Sequence, residues 1–188
     1  MINTTRCGIA LAFFLLAACA GTGPHSPNVA PAPAFDLSGR VAARYQERVF
    51  SSALRWKQTP DGDEIWLSTP LGQAMAHLRA DADGAILTAA DQRQYRASSI
   101  ESLTRSALGW AFPVGGLRHW VRGVTAPGMS VRDMERDEAG RIVRFRQDAL
   151  RIEFSYADSE AIRISRIHVA ADAADIRLVI DSLTSGQP

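Results

Sequence analysis

Cysteine, lysine and long hydrophobic runs are all scarce in this chain of 188 residues. The two cysteines, Cys7 and Cys19, both lie near the N-terminus, so the rest of the chain has neither a disulfide nor thiol chemistry. The apolar run over residues 8–18 is too short to span a bilayer. Because Arg6 precedes it, the segment is typical of a secretory signal peptide and not of a membrane helix.

Charge imbalance and catalytic motifs are also missing. Removal of Arg6 with the signal leaves twenty basic and twenty acidic residues, which argues against nucleic-acid binding. The chain has no G-x-S-x-G, Walker loop, H-E-x-x-H or C-x-x-C, and acidic pairs such as Asp61 and Asp63 lie at turn signals. We therefore expect no catalytic residue, metal or cofactor, and a protein that is not an enzyme. The histidines are too dispersed for short-range metal-ligand spacing: His25, His77, His119 and His168.

The apolar run ends in a short motif, Leu-Ala-Ala-Cys, at residues 16–19. It resembles the bacterial lipobox, in which cleavage leaves an acylated cysteine as the first residue. The alternative is ordinary signal cleavage with Cys19 incidental. Four prolines and no charged residue follow, which predicts an extended tether. The predicted organisation is a signal peptide over 1–18, a lipid-anchored tether over 19–34 and a folded domain over 35–188.

Apolar and polar residues alternate with period two through most of the domain. We count about eleven predicted strands joined mainly by short turns, which indicates an antiparallel meander. The alternation changes phase between Ile164 and Ile167, and a β-bulge there would explain the change.

Residues 99–123 have helical spacing instead. Ser98 and Glu101 fit a capping box, and Gly109 is suited to end the helix. A second short helix is predicted after Pro113. Since long twisted sheets curl, we predict a mainly β (α+β) fold: either a collapsed barrel or an open, curled antiparallel half-barrel with short helices on its concave side. The interior is either a filled core or an apolar hollow.

Inward-facing apolar positions are the candidates for the wall of such a hollow, although large side chains on these faces are also typical of ordinary core. Trp66 and Trp110 are not assigned to either. The candidate cavity residues are Leu54, Trp56, Ile65, Leu67, Leu117, Trp120, Ile152 and Phe154.

The sequence TPLG at residues 69–72 separates two predicted strands. Proline at its second position and glycine at its fourth favour a type I turn, which exposes Leu71 at the tip. The alternative is that Leu71 folds back against Leu78 or a neighbouring strand.

Several segments together resemble the LolB family of outer-membrane lipoprotein receptors. One departure is Asp-Ser-Leu at residues 181–183, where the family often has a tryptophan. The resemblance covers nearly the whole domain in chain order: GRVAARY (39–45), S-x-x-L-x-W (51–56), IWLSTPLG (65–72), LGWAFPVGGLRHWVRG (108–123), FRQDALRIEFSY (145–156) and RLVI (177–180).

The resemblance implies an incomplete barrel whose helices cover an apolar cavity. It implies a receptor that accepts acylated lipoproteins from the periplasmic carrier LolA and inserts them into the inner leaflet of the outer membrane. It also implies a monomer that is lipid-anchored through Cys19 on the periplasmic face, with Leu71 as the leucine that delivers cargo. By the enterobacterial sorting rule, in which aspartate after the acylated cysteine retains a lipoprotein in the inner membrane, Ala20 favours the outer membrane.

Two other functions are compatible with the residues. The first is an outer-membrane lipoprotein that binds another apolar ligand, such as phospholipid or a lipopolysaccharide precursor. The second is a structural scaffold lipoprotein with a filled core.

Overall fold

The computed structural model describes residues 34–158 and 163–185. The predicted signal peptide, Cys19 and nearly all of the predicted tether lie outside the described residues. The assignments made for them therefore stay predictions.

The described residues form one antiparallel sheet of eleven strands, as the alternation predicts. Its spatial order is β6-β5-β4-β3-β2-β1-β11-β10-β9-β8-β7, so two meanders meet where β1 pairs with β11. Since β6 and β7 form the edges, the sheet is open, and the predicted half-barrel class is confirmed. The strands are β1 Phe35–Tyr45, β2 Arg48–Thr59, β3 Gly62–Ser68, β4 Ala74–Asp81, β5 Gly84–Ala89, β6 Gln94–Ala97, β7 Val131–Arg136, β8 Ile142–Gln147, β9 Leu150–Tyr156, β10 Ile164–Ala171 and β11 Ala174–Ser185.

Two short helices connect β6 to β7, at the positions that the sequence predicts. Helix α1 is Ile100–Leu108 and helix α2 is Val114–Trp120. Gly109 ends α1 in the left-handed conformation (φ 88°), which glycine adopts without steric cost. In the part of the chain that the structure describes, neither helix is long and apolar enough to cross a membrane.

The N-terminus of α1 differs from the predicted capping box. The N-cap is Ser99, whose hydroxyl accepts a hydrogen bond from the Ser102 N–H at 3.1 Å. Glu101 does not reach back to Ser98 but accepts from the Gly115 N–H at 2.9 Å. The capping-box prediction is therefore wrong, because this carboxylate joins α1 to α2.

The sheet has local irregularities that bend it. The pairing of β10 with β9 shifts register between Ile164 and Arg166, which confirms the predicted bulge. A second shift between β1 and β11 falls at Gly39. A Cβ atom at Gly39 would lie 2.1 Å from the Val179 carbonyl oxygen, so only glycine permits this close approach.

Cross-strand register arranges the inward-facing side chains in rows, and the helices cover this concave face. The buried residues of both helices belong to the same apolar cluster as the inward-facing strand residues. One row crosses β1 to β5: Leu37, Trp56, Ile65, Leu78 and Leu87. Another row crosses β1, β11, β10, β9 and β8: Ala43, Ile176, Val169, Ile152 and Phe145.

Antiparallel pairing places several turns at the same end of the sheet. We call it the Leu71 end, because the β3–β4 turn at residues 69–73 lies there. The turns after β1, β5, β8 and β10 lie at this end as well, since their strands run in the same direction as β3.

Candidate functional site

An apolar cavity of about 190 Å³ lies between the helices and the β1–β5 half of the concave face. Thr104 is the one polar side chain among its described lining residues. The Thr104 hydroxyl donates to the Ile100 carbonyl at 3.0 Å and accepts from the Phe112 N–H at 2.9 Å. The cavity therefore presents hydrocarbon with no unpaired hydrogen-bonding group, a surface suited to an alkyl chain.

Five of the candidate cavity residues line this space: Leu54, Trp56, Ile65, Leu67 and Leu117. The four strand residues project from β2 and β3, whereas Leu117 closes the cavity from α2. Their role in binding an acyl chain stays a prediction.

Trp120, Ile152 and Phe154 do not line this cavity, so their predicted role in binding an acyl chain has no contact here and stays a prediction. Strand β9 is separated from β1 by β11 and β10, and its buried side chains Ile152 and Phe154 pack away from this cavity. Phe154 contacts Phe145 there, with ring centroids 5.6 Å apart. Trp120 is also fully buried and donates from Nε1 to Gln147 Oε1 at 2.8 Å.

The sequence interpretation missed other parts of the wall. Leu78 and Leu87 continue the row that Trp56 and Ile65 begin, so their inward alternation was the available signal. The missed lining residues are Val41, Ala43, Phe50, Ala76, Leu78, Leu87, Ile100, Leu103, Thr104, Ala107, Leu108, Phe112, Val114 and Leu178.

A buried ion pair joins the helix layer to the sheet beside the cavity. The Asp63 carboxylate accepts two hydrogen bonds from the Arg118 guanidinium of α2 and one from Trp56 Nε1 at 2.9 Å. Asp63 was interpreted from the sequence as a turn residue, but its side chain is 0% exposed. The sequence feature that could have indicated a buried Asp63 is Trp56, because a buried indole N–H needs an acceptor.

His119 lies beside this pair on α2. Burial lowers the pKa of His119, and the positive charges of Arg122 and Arg118 lower it further. The neutral imidazole is therefore favoured, so that α2 adds no further positive charge near the cavity.

Leu71 is 90% exposed at the tip of the β3–β4 turn. The Gly72 N–H donates to the Thr69 carbonyl at 2.9 Å, and Gly72 has a positive φ of 82°, as in a type I turn followed by a bulge. Leu71 does not fold back, and Leu78 faces the cavity instead. The leucine is therefore displayed to solvent, and its role stays a prediction.

The two unassigned tryptophans occupy different surfaces. Trp66 stacks on His77 with centroids 5.2 Å apart. Trp110 stacks on Tyr45, at 5.7 Å, near the Leu71 end. Among residues 34–158 and 163–185, no group of His, Cys, Asp and Glu side chains is placed to hold a metal ion.

An open antiparallel shell with a helix-covered apolar cavity defines a protein that can bind an apolar ligand. The chain belongs to the LolB family, because the family model described as outer membrane lipoprotein LolB matches residues 33–182. The resemblance noted in the sequence is thus confirmed.

Two relatives in sequence agree with this assignment. An outer-membrane lipoprotein LolB from Azoarcus sp. (strain BH72) is 33% identical over 172 residues, which cover 89% of this chain and 88% of that protein. Another from Nitrosomonas europaea is 38% identical over 120 residues, or 64% of this chain and 56% of that protein. A crystal structure of a LolA superfamily protein from Nitrosomonas europaea has a TM-score of 0.49 and 7% identity, covering 84% of this chain and 88% of that one.

Proposed function

We propose that this protein is an outer-membrane lipoprotein receptor, which accepts acylated lipoproteins from a LolA-type periplasmic carrier and inserts them into the inner leaflet of the outer membrane. The observation that carries the proposal is the apolar cavity beneath two helices in a chain of the LolB family. The cavity also argues against the scaffold alternative, which requires a filled core.

The hydrophobic effect explains why such a receptor is needed. A lipoprotein with about three acyl chains exposes dozens of methylene groups, each worth roughly 0.8 kcal/mol on transfer from water. Passage through the periplasm therefore requires an apolar shelter at each step.

Transfer in this proposal is driven by binding and not by catalysis. The sequence has no nucleotide-binding loop, and the cavity lining has no nucleophile with a base. The receptor therefore binds the acyl chains more tightly than the carrier does and less tightly than the bilayer. The protein acts as a monomer in this scheme and is held at the periplasmic face of the outer membrane by acylated Cys19.

The cavity is too small for a whole acyl chain, so the helices that cover it, here called the roof, have to open. An engineered apolar cavity of about 150 Å³ in another protein accommodates benzene, so 190 Å³ holds only a short part of an acyl chain. Helix α1 packs mainly on β5 and the edge strand β6. We infer that cargo enters by displacing α1 from these strands.

Leu71 is proposed to enter the membrane and start the release of cargo. A leucine on a rigid turn gains free energy when it enters hydrocarbon, whereas a carboxylate loses it. We expect Leu71→Glu to accept lipoprotein from the carrier at the normal rate but to insert it into liposomes about tenfold more slowly or worse.

The experiment starts from a LolA-type carrier loaded with a triacylated lipoprotein, to which the full chain and liposomes are added in turn without nucleotide. The matched control is Gln73→Glu, which adds the same charge to the same exposed turn without removing the leucine. Cargo that stays on the carrier with the wild-type protein contradicts the proposed function. Insertion by Leu71→Glu at the wild-type rate contradicts only the role of Leu71.

A further inference from the structure

A second hollow lies on the concave face, at the Leu71 end of the β8–β11 half. It is an open groove of about 510 Å³, and no part of the function proposed above uses it. Apolar side chains and two aromatic rings make up most of its wall: Tyr45, Trp110, Pro113, Leu150, Val169 and Ile176.

The groove adjoins the apolar cavity along the strands. On β11, Ile176 lines the groove and Leu178, the next inward-facing residue, lines the cavity. On β1, Tyr45 lines the groove and Ala43 lines the cavity. The two spaces are therefore neighbouring parts of one concave surface.

The linker between α1 and α2, together with Tyr45, contributes residues to the wall where the two spaces adjoin. Trp110 stacks on Tyr45 at an interplanar angle of 17°, and its ring lies 5.6 Å from that of Phe112. Phe112 lines the cavity, whereas Trp110 and Pro113 line the groove. These aromatic side chains can rotate without breaking any strand pairing.

We propose that this groove binds one further acyl chain of the same cargo, next to the chain in the cavity. The cavity of about 190 Å³ is too small for several chains, and a vacant apolar surface adjoins it. Arg146 and Asp172 add polar groups to the apolar wall of the groove. That combination matches an acyl chain, whose hydrocarbon ends in an ester or amide carbonyl that an arginine can bind. The inference rests on the proposed function, since it concerns the same cargo.

The first test fills each space separately in the full chain. Ala171→Trp places an indole in the groove, and Ala76→Trp places one in the cavity. Binding of a synthetic triacylated lipopeptide and of its diacylated analogue is measured by fluorescence titration. We expect Ala171→Trp to weaken triacyl binding about tenfold or more, since two methylenes returned to water suffice for that, and to change diacyl binding less than about twofold.

The outcomes separate this inference from the proposed function. Unchanged triacyl binding by Ala171→Trp overturns the inference, and so does an equal weakening of both lipopeptides. Ala76→Trp is expected to weaken both. If it changes neither, the cavity is not the binding site, and the proposed function fails whatever the groove does.

A second measurement does not depend on how the bulky variants fold. A triacylated lipopeptide with bromine on its amide-linked chain, and the same lipopeptide with bromine on an ester-linked chain, are titrated into the wild-type protein and into Trp110→Phe. Bromine quenches a nearby indole, so at least one of the two is expected to quench a component of fluorescence that Trp110→Phe lacks. Identical quenching of both proteins by both lipopeptides overturns the inference.

Discussion

The Asp63 carboxylate is buried away from water. The cost of desolvating an ionised group there must be offset almost completely by hydrogen bonds and an opposite charge. Arg118 and the Trp56 indole supply these, and together they connect α2, β3 and β2. Trp56 lines the cavity from β2, and Leu117, the residue before Arg118, lines it from α2. The contact of Asp63 with Trp56 and Arg118 therefore positions both the sheet side and the helix side of the cavity.

Removal of Arg118 is expected to destabilise the protein more than neutralisation of Asp63. Arg118→Met leaves the buried carboxylate without a cation and should lower the free energy of unfolding by about 3 kcal/mol, the low end for buried pairs. The Arg118 side chain is 36% exposed, so Asp63→Asn leaves a cation that water can still solvate. Asparagine also keeps an acceptor for the Trp56 N–H.

Urea denaturation of the two single variants and of the double variant measures these differences. We expect the double variant to recover part of the loss seen in Arg118→Met, because the uncompensated charge is gone. If Arg118→Met unfolds at the wild-type urea concentration, the ion pair does not stabilise the packing of α2 on the sheet.

Helix α2 contains two adjacent glycines with different surroundings. A Cβ atom on Gly116 would lie 2.5 Å from the Trp120 ring, whereas one on Gly115 would lie at an ordinary 3.5 Å from Glu101 Oε1. Trp120 is buried and held by Gln147, so the ring has no room to move. Gly116 is thus required by packing, while Gly115 is not.

Gly116→Ala is expected to destabilise the protein by about 1–3 kcal/mol through overpacking. Gly115→Ala is the matched control, and it should be neutral or up to about 1 kcal/mol stabilising, because alanine is the better helix former. Chemical denaturation gives both values, and near-UV circular dichroism reports the Trp120 environment. Equal stability of the two variants would contradict the packing constraint.

Secondary structure was readable from the sequence wherever one local rule applied. The alternation of apolar and polar residues predicted the strands, and a change in its phase predicted the bulge near Ile164. The first turn of α1 was misinterpreted because Glu101 had two possible partners, the Ser98 backbone or the start of α2. Tertiary contact decided between them, and local spacing contains no information about it.

Across the described fold, the apolar cavity lies in the β1–β5 half of the concave face, and this placement was not readable from the sequence. Ile152 and Ile65 alternate inward in the same way on β9 and β3. Only the spatial order of the strands places Ile152 of β9 away from the cavity and Ile65 of β3 on its wall. That order depends on the pairing of β1 with β11, which lie at opposite ends of the domain sequence.

This placement predicts different effects of truncation at Ile152 and at Leu67. Ile152 is 0% exposed and packed on all sides, so Ile152→Ala should lower the free energy of unfolding by about 2–5 kcal/mol. Leu67 is only partly buried because it borders the cavity, so Leu67→Ala should cost less than about 2 kcal/mol. Leu67→Ala also enlarges the cavity and should increase uptake of an apolar fluorescent probe, which Ile152→Ala should leave unchanged. Equal losses of stability, measured by urea denaturation, together with equal probe uptake, would mean that the surroundings of Leu67 are as closely packed as those of Ile152.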